Sequence, residues 1–528
     1  MIQKVLSAFS VISILPIAFL SAQTGSHGPV EVSSSIQHDV SMPLRSMSSS
    51  SPSAEHHREK PLGLIPQNQL STNGPDTAVQ TSTGPLIATT SGLNFAGVGN
   101  GDYRFAPNSA PPDTNGAVGA TQYVQWVNES FAVFDKTTGA IVTGFPKSGN
   151  TLWAGFGGGC EINNDGDPIV QYDKAANRWI LTQFSVTTTP YLQCVAVSTT
   201  SDATGTYYRY AFSYGTTQFP DYPKLGVWPD AYYISYNIFN NGSTFGGAKV
   251  CAFDRAMMLI GKPATQECFQ LSTSFGGLLP SDLDGSIAPP AGEPNFFMNF
   301  GSNSLNLWKF HVDFATPPNA TFSGPTNIPV ATFTAACNGG GGCITQPNTS
   351  QKLDSLADRL MYRLAYRHFT DGHEALVVNQ SVKVSGTKNN QVVGVRWYEI
   401  RSPSTAPAVY QQGTFSPDST SRWMGSIAMD KLGDIAVGYS ASSSSVFPSI
   451  RYTGRVPGDA LGTLGTENSI LIGGGSQLPN LGRWGDYSAM TIDPVDDCTF
   501  WYTTEYLKAS GTFNWSTRIA RFKFPSCQ

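Results

Sequence analysis

Charge is scarce in this 528-residue chain: only 13% of residues are charged, and acids outnumber bases 37 to 32. A formal net charge of −5 leaves no basic field able to hold a phosphate backbone, so no nucleic-acid partner is expected. The chain has no Cys-x-x-Cys pair, and its seven histidines do not interleave with cysteines at zinc spacing, so no metal site of that kind is expected. It also lacks a Gly-x-Ser-x-Gly elbow, a His-Glu-x-x-His helix and a Walker loop, which removes three large enzyme classes. After one short apolar run near the start no second one follows, so no membrane span is expected.

That early run, Val5 to Leu20, follows Lys4, is broken by Pro16 and ends at Ser21-Ala22, the pattern of a secretory signal peptide over residues 1–22. Export makes disulfides the natural use of the eight cysteines. Pairing along the chain joins Cys160 to Cys194, Cys251 to Cys268, Cys337 to Cys343, and Cys498 to Cys527. Residues 23–90 are rich in Ser, Thr, Pro and Gly, including the run Ser48 to Ser53, and are expected to form a disordered linker. Within it His56 and His57 are the one adjacent histidine pair, read as solvated linker rather than as ligands.

The composition, with 53 Gly and 35 Pro, suits many short strands and turns. Beyond residue 100 one unit recurs: an Asp or Arg opens a strand, a sharp turn follows, and an aromatic, β-branched strand returns. Asp113, Asp167 and Asp221 stand 54 residues apart and open the first three units. Asp284 opens the fourth, Asp358-Arg359 the fifth, Arg422 the sixth and Arg483 the seventh. Each unit also carries a third strand, from Phe131 to Phe134 in the first to Arg518 to Phe524 in the last. The expectation is an all-β, seven-bladed β-propeller over residues 91–528, with Leu93 to Ala96 supplying the last blade's missing strand. A six-bladed propeller or paired β-sandwiches are the competing architectures.

In a propeller, equivalent ends of the inner strands converge. The expected catalytic residues are therefore Asp113, Asp167, Asp221, Tyr362 and Tyr487. Arg359, Arg422, Arg483, Tyr222, Trp423, Trp484, Asp284 and Asp486 are expected to bind substrate. Arginine forks suit carboxylates and sulfates, clustered aspartates raise one another's pKa, and aromatic faces stack on sugars. The same Asp and Arg residues could instead pair across blades and hold the ring closed. Asn163 to Asp167 looks like part of a calcium loop but lacks the downstream glutamate, so a structural calcium is the one cofactor raised and an Asx turn is favoured.

The segments Asp165 to Trp179, Asp221 to Ser235, Asp358 to Val378 and RWGDYSAMTIDPVDDCTFWYTTEY, from Arg483, resemble secreted bacterial β-propeller proteins of unassigned function. That likeness implies fold and export. A looser similarity is to sialidases, which implies Arg359, Arg422 and Arg483 as an arginine triad, Tyr487 or Tyr362 as nucleophile, and Asp113 or Asp167 as acid. Sialidases have six blades, and neither an S-x-D-x-G-x-x-W box nor an Arg-Ile-Pro motif occurs here. The expected function is a secreted, monomeric carbohydrate-active enzyme, glycoside hydrolase or polysaccharide lyase, acting on an anionic glycan or small acidic sugar. The alternative is a noncatalytic extracellular module that binds glycans or proteins.

Overall fold

The computed structural model of the protein describes residues 27–49, 58–60, 63, 65, 74–387 and 389–528. Residues 1–22, expected to be a signal peptide, and the pair His56-His57 lie outside the described residues.

The described chain is almost entirely β, arranged as successive four-stranded antiparallel meanders. The first comprises Asn115–Val118, Gln122–Val127, Ser130–Asp135 and Lys147–Ser148. The second runs Ile169–Asp173, Arg178–Ser185, Leu192–Ser198, Tyr207–Ser213. The third is Gln218–Val227, Tyr232–Asn240, Thr244–Phe253, Thr265–Gln270. The fourth, Leu279–Asp284 to Thr321–Pro329, and the fifth, Met361–His368 to Ala408–Phe415, join through parallel pairing of their first strands. The sixth spans Ser421–Met429 to Asn468–Leu471. The last, Ala489–Ile492 to Trp515–Lys523, is completed by Thr90–Ala96, with Ala96 opposite Arg518 and Phe95 opposite Ile519. Leu93 to Ala96 thus supplies the missing strand as the sequence suggests.

First strands of neighbouring meanders pack side by side, and the first strand of the last meets that of the first, so the sheets curl about one axis rather than stacking as two layers. Inner strands such as Ile169–Asp173 are buried on both faces, which is why they read as continuous runs and not as polar–apolar alternation. Aromatics fill the gaps between sheets: all ten tryptophans are less than 2% exposed. Tyr123 stacks on Trp501 across the closure at 5.3 Å between ring centroids.

Residues 27–49 do not form the disordered linker expected of 23–90. Glu31–Ser34 pairs with Thr265–Gln270, and Gln37–Val40 with Tyr207–Ser213. Val79–Gln80 adds to Ala408–Phe415 in parallel. The open edges of these sheets offer unpaired backbone groups, and pairing with them needs no hydrophobic side chains, so composition did not reveal it. Leu44 and Met47 then anchor the segment in the core.

All four disulfides pair as the sequence order suggests, each between strands or segments adjacent in the fold. Cys498 and Cys527 lie beside the closing sheet and are separated by 29 residues. Replacing both by serine is expected to lower unfolding stability by about 3 kcal/mol, read from a urea titration in which the m-value rises as the unfolded chain expands.

Candidate functional site

At one end of the axis, a local backbone device repeats. Asp113 and Asp167, each two residues before an inner strand, both take φ of +47°. Tyr222 (φ +54°) sits at a bulge between Asp221 and Lys224, and Asp486 (φ +63°) precedes the last inner strand. Aspartate tolerates this left-handed backbone better than most residues, and the turn places the side chains together at the axis.

They line a cavity of about 470 Å³. Asp113, Asp167, Asp221, Asp486, Tyr222, Arg359 and Arg483 are among its polar lining, and Phe184, Phe219, Phe239 and Phe245 line it as well. Seven of the thirteen expected site residues therefore meet here.

The arginines are already engaged. Arg359 holds Asp358 through both fork positions, at 2.7 and 2.9 Å, gives its remaining Nη2 bond to the Gly63 carbonyl at 3.2 Å, and lies 4.2 Å over the Tyr222 ring. Arg483 donates to the Asp486 carboxylate and to the Lys60 carbonyl, with Asp354 3.9 Å away.

Asp113, Asp167 and Asp221 are left without a dedicated cation. Burial, then the charges of Asp486 and Asp167, drive the Asp113 pKa well above the usual carboxylate range. Asp167 is also raised by burial, against the pull of Lys224 and Lys60, with a hydrogen bond to Asp113. Burial and Asp167 push Asp221 up to about 7. Beneath them Lys224 is fully buried, 3.4 Å over the Tyr222 ring and 3.9 Å over that of Tyr487, donating to the Pro223 carbonyl at 2.9 Å. Burial lowers its pKa to about 7. The arrangement supplies carboxyls of differing proton affinity within one enclosure, the requirement for paired acid and base catalysis.

Six expected residues lie elsewhere. Arg422 is clamped by Asp418 at 2.9 Å and Glu467 at 2.9 Å, away from the cavity. In its strand the left-handed residue is Met424, two positions on, so Arg422 is out of step with Asp221, the immediate neighbour of Tyr222. A one-residue offset along a strand moves a side chain to the other face. Asp284 ends its inner strand instead of opening it, and so sits at the axis's opposite end with Asp282 and Arg363. Tyr362 and Tyr487 are buried below the cavity, their hydroxyls bonded to the carbonyls of Leu225 and Pro168 at 3.1 Å each. Trp423 and Trp484 are 0% exposed and pack on each other at 6.0 Å, out of reach of any sugar. The sialidase-type arginine triad and its tyrosine nucleophile are therefore not assembled. In the loop considered for calcium, the Asp165 carboxylate accepts from the backbone N–H groups of Val186 and Thr187 at 2.6 and 2.8 Å, which ties the loop to a distant segment.

The sequence reading missed Lys224, Lys60 and the four phenylalanines. A lone lysine in the apolar strand Pro223 to Trp228 was a readable signal of a buried charge. The phenylalanines come from the second and third meanders with no shared spacing.

Asp221, with a folded pKa near 7 against an ordinary 3.8, costs stability when it ionises, so its contribution is present at low pH and lost as pH rises through about 7. Asp221→Asn is expected to melt a few degrees above the parent at pH 8 and level with it at pH 4, by calorimetry.

No protein-family model matches the chain, and no curated protein matches it. Among solved structures, an exo-β-1,3-galactanase from Clostridium thermocellum covers 79% of this chain and 83% of its own, at 12% identity and a TM-score of 0.30. An ulvan-cleaving polysaccharide lyase covers 83% and 92%, at 8% identity and 0.32. The WD40 domain of SCAP from fission yeast covers 76% and 82%, also at 8% and 0.32. Superposition at that level leaves the function to be argued from the cavity itself.

Proposed function

We propose that the chain is a secreted carbohydrate-active enzyme, a glycoside hydrolase, working in the axial cavity of a seven-bladed β-propeller. The repeat of four-stranded meanders about one axis supports that blade count. The four disulfides fit an oxidising compartment, and the signal pattern over residues 1–22 supports export by the secretory route. Among the described residues no helix is long and apolar enough to cross a membrane.

The observation that carries the reaction is a carboxyl with pKa about 7, Asp221, sharing with Asp113 and Asp167 a cavity that phenylalanines also line. Asp221 keeps a proton near neutrality and gives it to the glycosidic oxygen as the bond to the leaving sugar breaks. Asp167 supplies the carboxylate that stabilises the sugar cation or activates water. Water adds to the sugar carbon, and its proton restores the acid. The phenylalanine faces stack on the ring. Because Arg359 and Arg483 are spent on Asp358 and Asp486, the ring held here is uncharged. That favours hydrolysis over elimination, which needs a free cation to hold a uronate carboxylate.

Incubation with neutral and acidic glycans is expected to release reducing ends, with kcat falling as pH rises through about 7 as Asp221 loses its proton. Asp221→Asn is expected to cut kcat by on the order of 10²–10⁴ while leaving the dissociation constant nearly unchanged. Binding without release of sugar by the parent protein would instead make the cavity that of a noncatalytic module.

A further inference from the structure

A second cavity, about 570 Å³, opens beside the first. Asp165 and Thr187 line both. At the junction Lys60 reaches Glu129 Oε1 at 3.1 Å and donates to the Asp165 carbonyl, so one ion pair marks the border between the two enclosures.

Their charges differ in kind. In the second cavity the acids are already satisfied: Glu129 by Lys60, and the Asp165 carboxylate by Val186 and Thr187. What remains is cationic. Lys147 donates to the Met47 carbonyl at 2.6 Å and, among the described residues, carries no carboxylate partner. Arg104 is exposed, and among the described residues it makes no ion pair or hydrogen bond. It and Tyr103 are consecutive residues at φ +63° and +53°, a strained pair of left-handed non-glycine conformations that the surrounding structure must hold in place. Every arginine of the first cavity has a carboxylate, whereas this one has none. Phe105 and Phe145 line the same space and supply apolar ring surface.

We propose that the second cavity is a subsite for the sugar unit adjoining the one held at Asp113, Asp167 and Asp221, and that Arg104 selects a unit bearing a carboxylate or sulfate. The proposal rests on the glycan reading above and sharpens it: the substrate is a chain of at least two units, neutral where the bond breaks and anionic one unit along. A planar guanidinium without a partner is matched to either anion through paired hydrogen bonds. The excess of carboxyls in the first cavity excludes that charge from the reacting position.

The test is calorimetric binding of the full-length protein to oligosaccharides of one to six units in which neutral sugars alternate with uronic-acid or sulfated ones, alongside their methyl-esterified or desulfated counterparts. Charged oligomers are expected to bind more tightly than their neutral counterparts. Arg104→Ala is expected to weaken the charged oligomers about tenfold with no effect on single sugars or neutral oligomers. Arg104→Lys is expected to keep the charge preference in part. Arg104 is exposed and unpartnered, so an unchanged melting temperature will verify that the variants fold. Equal affinity of parent and Arg104→Ala for every charged oligomer, or parent protein that binds none of them, overturns the proposal. Release of sugars that ignores Arg104 would overturn this subsite and leave the hydrolytic reading standing. Binding that depends on Arg104 without any release would do the reverse.

Discussion

Burial of the inner strands on both faces is the constraint on which this structure depends. A charge placed on such a strand has no water to turn to and must be neutralised where it stands. Away from the cavity, several buried cations meet that demand with carboxylates. Arg363, 1% exposed, is held by Asp282 and Asp284. Lys136 meets Asp493 at 2.6 Å, and Arg396 meets Asp76 at 2.7 Å. Arg422 takes two carboxylates, from Asp418 and Glu467. Most buried charge here is architecture, and Arg359, Arg422 and Arg483 pair with Asp358, with Asp418 and Glu467, and with Asp486 of their own units.

Against that background the two ends of the axis are unlike. At one, Asp282, Asp284, Arg363 and Lys174 balance each other and little open space remains. At the other, Arg359 and Arg483 are consumed by Asp358 and Asp486, leaving Asp113, Asp167 and Asp221 without an ion-pair partner of their own among the described residues. Burial, with the neighbouring carboxylates, raises their proton affinity and does so beside an open cavity. A cost in folding stability is thereby converted into groups able to exchange protons near neutral pH. The neighbouring cavity reverses the sign, with Arg104 as its unpaired charge.

Short-range features were legible in the chain. The four disulfides join segments that the meander brings together within 34 residues or fewer, so pairing in sequence order was enough. The 54-residue spacing of Asp113, Asp167 and Asp221 mirrored three successive inner-strand entries, and all three reached the cavity. Strand order and the closing role of Leu93 to Ala96 followed from counting strands, because antiparallel neighbours along a chain are usually neighbours in space.

Facing and partnership were not legible. Arg422 and Asp284 occupy the repeat's acidic or basic slot in sequence, yet a bulge and a strand end send them elsewhere. Trp423 and Trp484 read as sugar platforms and are sealed between sheets. The edge strands at Glu31–Ser34 and Gln37–Val40 rest on backbone pairing that carries no side-chain signature. By itself the sequence determined an all-β chain of repeated strand units, its cysteine pairs and the aspartates that open its first units, since these are written in local spacing. Only the tertiary structure decided which charges remain unpaired. That outcome depends on which face each side chain takes and on partners such as Glu467 for Arg422, 45 residues away, and Asp284 for Arg363, 79 away.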